Sequence, residues 1–303
     1  VETFIKASHF SPIATLGGVV ATGVQGVLGF GEHFCDVSDG LSRAIRRRFG
    51  AGSERLRFPP VMSRSDLERI GYFRNFPQLL GTVHCFCGDE RAHRELVKAH
   101  DVGDDWTKAQ GATDLVLTPA ACYPVYPALA ARGAVPTAGY TVQVQSFCFR
   151  REPSDDPARL QSFQMHEFVR IGTPEQAQTF RADWMVQGKA MFEALHLPSE
   201  LVIANDPFFG RAGGVMGRGQ RAHELKYELT AVVCNEARPN ACMSFNYHLD
   251  HFSEALDLRD TRGELVHTAC VGFGVERIVF ALFRRHGPDP SAWPLDVRRL
   301  LEL

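Results

Sequence analysis

The sequence predicts an α+β domain in which an antiparallel β-sheet is flanked by helices, and three observations carry that expectation. Short runs of strand-like alternation follow one another with few helices between them, at 140–150, 161–171, 199–204, 224–234, 241–248 and 264–271. Two longer segments, 174–196 (opened by Pro174 at a first-turn position) and 273–286, supply helices to pack on such a sheet. The 303 residues contain no internal repeat, no heptad run and no evident linker, so one domain over 1–303 is the economical division.

The remaining elements follow in chain order. Ser38 or Asp39 is placed to cap a helix running to about Phe49, with Leu41, Ala44, Ile45 and Phe49 on one face. Gly50 and Gly52 end it, and 54–58 reads as a short strand stopped by Pro59-Pro60. A second short helix fits 65–70, closed by Gly71. Residues 79–87 read as a strand, 89–100 as a charged surface helix, and 113–118 as a further strand.

Composition narrows the function classes. Hydrophobic residues make up 45% and charged residues 22%, as in an ordinary globular protein, and the net charge of -2 argues against a chain built to coat nucleic acid. The eight cysteines are scattered, and a chain of this length needs no disulfide staples, so a reducing, cytoplasmic compartment is expected. Residues 11–31 carry no charge, but Pro12, Gln25 and the glycines at 17, 18, 23, 26, 29 and 31 fit a close-packed turn region better than a membrane helix.

Two segments carry chemistry. Phe147-Cys148-Phe149-Arg150-Arg151-Glu152, a polar turn over 153–159 and the run 160–168 read as a β-hairpin. Arg150 and Glu152 are two apart, so a strand would send both to one face, where a guanidinium can hold phosphate and a carboxylate can accept from an adenine amino group. Gly272-Phe273-Gly274-Val275-Glu276-Arg277 sits at a strand-to-helix junction near the C-terminal end, without the downstream βαβ unit of a dinucleotide fold. Gly213-Gly214 to Gly217-x-Gly219 lacks the Lys-Ser/Thr ending of a phosphate loop.

In order, these segments resemble the signature motifs of class II aminoacyl-tRNA synthetases: motif 2 at about 147–170, motif 3 at about 270–286, and motif 1, a dimer interface in that family, at about 38–60. Within the class the chain is most similar to the seryl enzymes. Leu117-Thr118-Pro119-Ala120-Ala121-Cys122 resembles their Thr-Ala-Glu segment, with Cys122 in the glutamate place. Phe163-Gln164-Met165-His166-Glu167-Phe168 resembles their Arg-Val-His-Gln-Phe strand, with Glu167 in the glutamine place. Both departures bring in potential metal ligands, and Cys270 before motif 3 is a third. Two thiolates and a carboxylate with a vacant position resemble the amine-binding zinc of the archaeal-type seryl enzyme.

The resemblance implies roles. Arg150 contacts the α-phosphate and the amino-acid carboxylate and is the catalytic residue; Glu152 accepts from adenine; Arg159 and Arg277 clasp the outer phosphates; Leu160 touches the purine. Ala241, Cys242, Met243 and Ser244 form a strand beside ATP, and Lys226 and Glu228 meet phosphate and Mg²⁺, although Asn240 replaces a glutamate usual in the family. Nothing before motif 1 has the heptads or basic run of a tRNA-gripping arm, so neither tRNA nor a membrane is an expected partner. The pattern resembles the truncated, zinc-containing amino acid:[carrier protein] ligases, which implies ATP-dependent activation of glycine or alanine, transfer to a carrier's phosphopantetheine thiol, and a homodimer. An acidic carrier calls for a basic dock, and Arg211, Arg218 and Arg221 are the first candidates, with Arg46-Arg47-Arg48 as competitor. A seryl-type tRNA synthetase working with a separate RNA-binding partner, and a catalytically idle amino-acid- or adenylate-binding paralogue, are the alternatives.

Overall fold

Strand alternation assembles seven segments of the chain into one large sheet. The computed structural model describes residues 18–154 and 156–303, so residues 11–17 of the uncharged stretch lie outside the described residues. The rest of that stretch is a hairpin of β1 (Val19–Ala21) and β2 (Leu28–Phe30). A helix, Glu32–Phe49, follows. It starts before the expected caps: Gly31 is its N-cap, without a side-chain bond, and Ser38 lies buried inside it. Phe34 and Val37 extend the buried stripe of Leu41, Ala44, Ile45 and Phe49 toward the N-terminus, and this packing outweighs the capping preference of Ser38.

The strands β3 (Glu54–Leu56), β4 (Val61–Ser63), β5 (Thr82–Phe86) and β6 (Gln110–Leu117) come next. After them run β7 (Tyr140–Phe149), β8 (Ser162–Gly172), β9 (Ser199–Ile203), β10 (Lys226–Asn235), β11 (Arg238–Leu249) and β12 (His267–Gly274). Seven form a sheet in the order β3-β7-β8-β12-β11-β10-β9, antiparallel throughout except for the parallel β3–β7 pair. A smaller sheet, β4-β6-β5, adjoins it in sequence. The expected α+β architecture is the observed one.

The period of two divides the large sheet's residues between its faces. Phe168, Phe245, Val271 and Phe273 join the core under the helices Pro174–Ala194 and Val275–His286. Phe168 and Trp184 meet there with ring centroids 4.5 Å apart. Their neighbours on the same strands, Glu167, Asn246, Cys270 and Gly272, line a cavity on the opposite face. Helix Pro174–Ala194 opens with a complete capping box, Thr173 accepting from the Gln176 backbone and Gln176 returning the bond.

Several elements depart from the sequence expectation. β12 continues through Gly274, so the final long helix begins at Val275 instead of 273; pairing of Phe273 with both His166 and Met243 keeps it in the sheet. The glycine-rich insert is a helix, Gly210–Ala222, despite five glycines that each weaken it. Short helices Val125–Ala130, His251–Leu256 and Leu295–Leu301 have no counterpart in the sequence expectation.

Gly40 sits inside the first helix because a Cβ there would collide with the backbone carbonyl oxygen of Leu301 in the C-terminal segment. Alanine at this position gains about 1 kcal/mol of helix propensity but forces two helices apart, at about 1–3 kcal/mol. Gly40→Ala is therefore expected to lower the melting temperature by several degrees in a thermal unfolding scan. An unchanged or raised midpoint contradicts the close contact.

Candidate active site

The cavity's floor is made where β8 and β12 run side by side. In their register Gly272 lies opposite Glu167, which places Cys270 on the adjacent diagonal of the same face. A Cβ on Gly272 would stand 3.0 Å from Glu167 Oε1, so glycine leaves the carboxylate its room. Cys122 arrives from the turn after β6, and its backbone N–H donates to Glu167 Oε2. The Sγ atoms of Cys122 and Cys270 and a Glu167 oxygen lie within 4.8 Å of one another, and all three residues are buried.

Without a cation these groups compete for protons. Burial, then the Cys270 charge, pushes Glu167 up to about 8. The Cys122 thiol is held well above its ordinary range by its hydrogen bond to Cys270, by burial and by Glu167; that same bond holds Cys270 well below it. Asn246 Nδ2 donates to Cys270 Sγ at 3.3 Å, and His248 Nε2 stands 3.6 Å from it. Two thiols and a carboxyl in a dry corner fit a zinc-type divalent cation, which would take the place of their protons.

At the other end stand the arginines. β7 stops at Phe149, so Arg150 and Glu152 lie just past the strand rather than on it. A Glu152 N–H to Arg150 carbonyl bond of 2.7 Å turns the backbone and keeps both at the cavity wall. Arg150 Nε donates to the Pro119 carbonyl at 2.9 Å, with the guanidinium 5.4 Å from the Phe163 ring centroid. Arg277 is held by the carbonyls of Ala158 at 2.7 Å and Ala241 at 2.8 Å. Leu160, Ala241, Cys242, Met243 and Ser244 line the same cavity. Arg159 stands outside its lining and pairs with Glu152 at 2.8 Å.

Lys226 and Glu228 also line the cavity, but Lys226 is already paired. Its Nζ lies 2.5 Å from Asp206 and 3.3 Å from Glu228. Asp206 carries no local signal of its role, since an aspartate ahead of Pro207 reads as turn chemistry. Tyr72, Tyr123 and His248, also lining residues, lie in unremarkable local sequence. Among the described residues, Cys122, Glu167 and Cys270 are the one group of three or more such ligands that converges, while Glu228 is paired with Lys226. Arg211 and Arg218 are exposed on the helix Gly210–Ala222, whereas Arg221 bonds Asn205 Oδ1 and the Ile203 carbonyl of its own neighbourhood.

Residues 106–286 match the family described as tRNA synthetase class II core domain (G, H, P, S and T). The chain is 46% identical over 281 residues to amino acid–[acyl-carrier-protein] ligase 1 of Bradyrhizobium diazoefficiens, covering 93% of this chain and 86% of that protein. The chain belongs to this ligase family. Ligase 2 of the same organism is also 46% identical, over 284 residues, covering 93% of this chain and 84% of that protein. The type-2 serine–tRNA ligase of Methanopyrus kandleri is 27% identical over 190 residues, 59% of this chain and 36% of that protein. A solved structure of M. kandleri SerRS with A. aeolicus tRNASec superposes with a TM-score of 0.81 at 21% identity, covering 97% of this chain and 60% of that one, a likeness of fold. Among the described residues no helix is long and apolar enough to cross a membrane.

Glu276 gives the ligase a pH signature. Both of its oxygens accept from the Gln164 backbone N–H at 2.9 Å, and burial pushes the carboxyl up to about 7. Because the folded protein favours the protonated form, its contribution is complete below the ordinary carboxyl range, about pH 4.5, and is lost as pH rises through 7. Glu276→Gln keeps an acceptor oxygen and removes the titration. In melting scans across this window the wild type is expected to lose stability relative to the variant, by on the order of 3 kcal/mol. Parallel profiles contradict the assignment.

Proposed function

We propose that this ligase activates a small amino acid, glycine or alanine, as its adenylate and transfers it to the phosphopantetheine thiol of a carrier protein. The observation that carries the reading is one cavity with a buried Cys122–Glu167–Cys270 cluster at one end and anchored arginines at the other, in a chain 46% identical to two amino acid–[acyl-carrier-protein] ligases.

Cys122, Glu167 and Cys270 hold zinc in this reading, and zinc, when bound, supplies a vacant position for the amine lone pair. Arg150 draws the substrate carboxylate against the α-phosphate. A carboxylate oxygen forms the new bond to phosphorus as the bond to pyrophosphate breaks. Arg277 neutralises the departing phosphates together with Mg²⁺, and Arg159 joins it once released from its pair with Glu152. Glu152 accepts from the adenine amino group, and Leu160 with Ala241, Cys242, Met243 and Ser244 borders the nucleotide. Lys226 faces the reacting end, since its register partner Asn246 contacts Cys270. The thiol sulfur then attacks the activated carbonyl, and the carbon–oxygen bond to AMP breaks.

Aromatic walls support the reading of a small substrate. Tyr123 packs edge-on against Tyr72 at 5.4 Å and Phe252 at 5.8 Å, all three lining the cavity beside the cluster. Carrier docking falls to the helix Gly210–Ala222, whose outer side combines Arg211 and Arg218 with exposed Val215 and Met216. Acidic, partly apolar carrier helices complement such a surface. Arg47 of the competing cluster already donates to the Leu300 carbonyl at 2.8 Å and pairs with Glu302. Dimerisation through the helix Glu32–Phe49 and β3 completes the proposal.

The test is the mass of a holo carrier protein incubated with enzyme, ATP and glycine or alanine. An aminoacyl mass gain is expected, slowed at least about tenfold by Arg211→Glu with Arg218→Glu while amino-acid-dependent pyrophosphate exchange into ATP persists. No gain on any holo carrier of the same organism, with charging of total tRNA instead, overturns the reading in favour of a synthetase.

A further inference from the structure

The helix Gly210–Ala222 is joined to the active site by a short chain of polar contacts. Its inner side carries Gly213 and Gly217, and a Cβ on Gly213 would stand 2.6 Å from the Phe208 backbone. The helix therefore lies directly on the loop 205–209. That loop is seated on the cavity rim: Gln78 Nε2 donates to the Pro207 carbonyl at 2.7 Å, and Phe208 stacks on Phe76 at 5.0 Å. Gln220, from the same helix, clasps Asp206 twice. Its Nε2 donates to Asp206 Oδ2 at 2.8 Å, and its Oε1 accepts from the Asp206 backbone N–H at 2.7 Å. Asp206 offers its other oxygen, Oδ1, to Lys226.

We propose that Gln220 and Asp206 form a relay through which carrier docking on this helix sets the position of Lys226 in the active site. The inference rests on the docking reading above and assigns the two residues a positioning role. Lys226 and the Arg150 guanidinium offset the Asp206 charge, whereas the uncharged amide of Gln220 fixes where the carboxylate points. Left-handed backbone bounds the helix near both ends, Gly210 at φ +73° and Glu224 at φ +50°, and sets it apart from the strands on either side. Its exposed side takes the load, and Gln220 carries the displacement inward. Binding linkage then requires reciprocity: a docked carrier changes the affinity for ATP or amino acid, and those ligands change the affinity for carrier.

The experiment uses the full chain and the apo form, lacking phosphopantetheine, of a carrier that the wild type loads in its holo form. Without a thiol, apo carrier can dock but cannot consume adenylate. Saturating apo carrier is expected to shift the KM for amino acid or ATP in pyrophosphate exchange by about fivefold or more in the wild type. Gln220→Ala is expected to lower carrier-free exchange, because the Asp206 carboxylate is no longer fixed, and to bind carrier normally, yet to lose the shift. Arg211→Glu with Arg218→Glu is expected to lose carrier binding and the shift together. A wild type that loads holo carrier but shows no shift with apo carrier overturns the relay and leaves the proposed function standing. A shift that survives Gln220→Ala overturns the route through Asp206. Failure to load any holo carrier removes the functional reading, and the relay with it.

Discussion

Three acidic side chains cannot all remain anionic in a dry corner unless a cation joins them. Cys122, Glu167 and Cys270 meet this constraint where β8 and β12 pair, and nothing in their local sequences requires them to converge. Convergence is a product of register. Gly272 opposite Glu167 removes the one side chain that would occupy the space, and the turn holding Cys122 is tied down by its N–H bond to Glu167. A divalent ion bound here would relieve the proton competition among the three.

The sheet turns that corner into one end of a longer site. Its covered face is packed with Phe168, Phe245, Phe273 and Trp184, so the strands are rigidly placed. Its open face presents alternate residues in fixed order, from Cys270 and Glu167 past Met165 to the loop that holds Arg150 and Glu152. Carbonyls of Pro119, Ala158 and Ala241 plant Arg150 and Arg277 before any ligand arrives. Preorganised charge of this kind is what phosphoryl chemistry asks of a protein, because little covalent work falls to the side chains.

Legibility in the sequence followed the reach of each signal. Strand alternation and the Pro174 start gave the sheet and its major helix, because burial on one face writes a short period into the chain. Motif segments gave Arg150, Glu152, Arg277 and the three cluster residues as candidates, since each lies within a distinctive run. Ser38 misled because a good capping residue can sit inside a helix when the apolar stripe continues past it through Val37 and Phe34. The helix Gly210–Ala222 was hidden by glycines whose purpose is close approach to Phe208. Asp206, Gln220 and Tyr72 meet the site only through tertiary contacts, and no local pattern marks such residues.

The claim most exposed to test is that the cluster binds a divalent ion with a vacancy for the substrate amine. Cobalt(II) substituted into the metal-stripped enzyme reports on this directly, since thiolate-to-cobalt and ligand-field bands respond to a change of ligand. Glycine is expected to shift these bands. Its trimethylated form, which has no lone pair on nitrogen, is expected to leave them unchanged. Bands that ignore glycine, or that respond equally to both compounds, contradict the account.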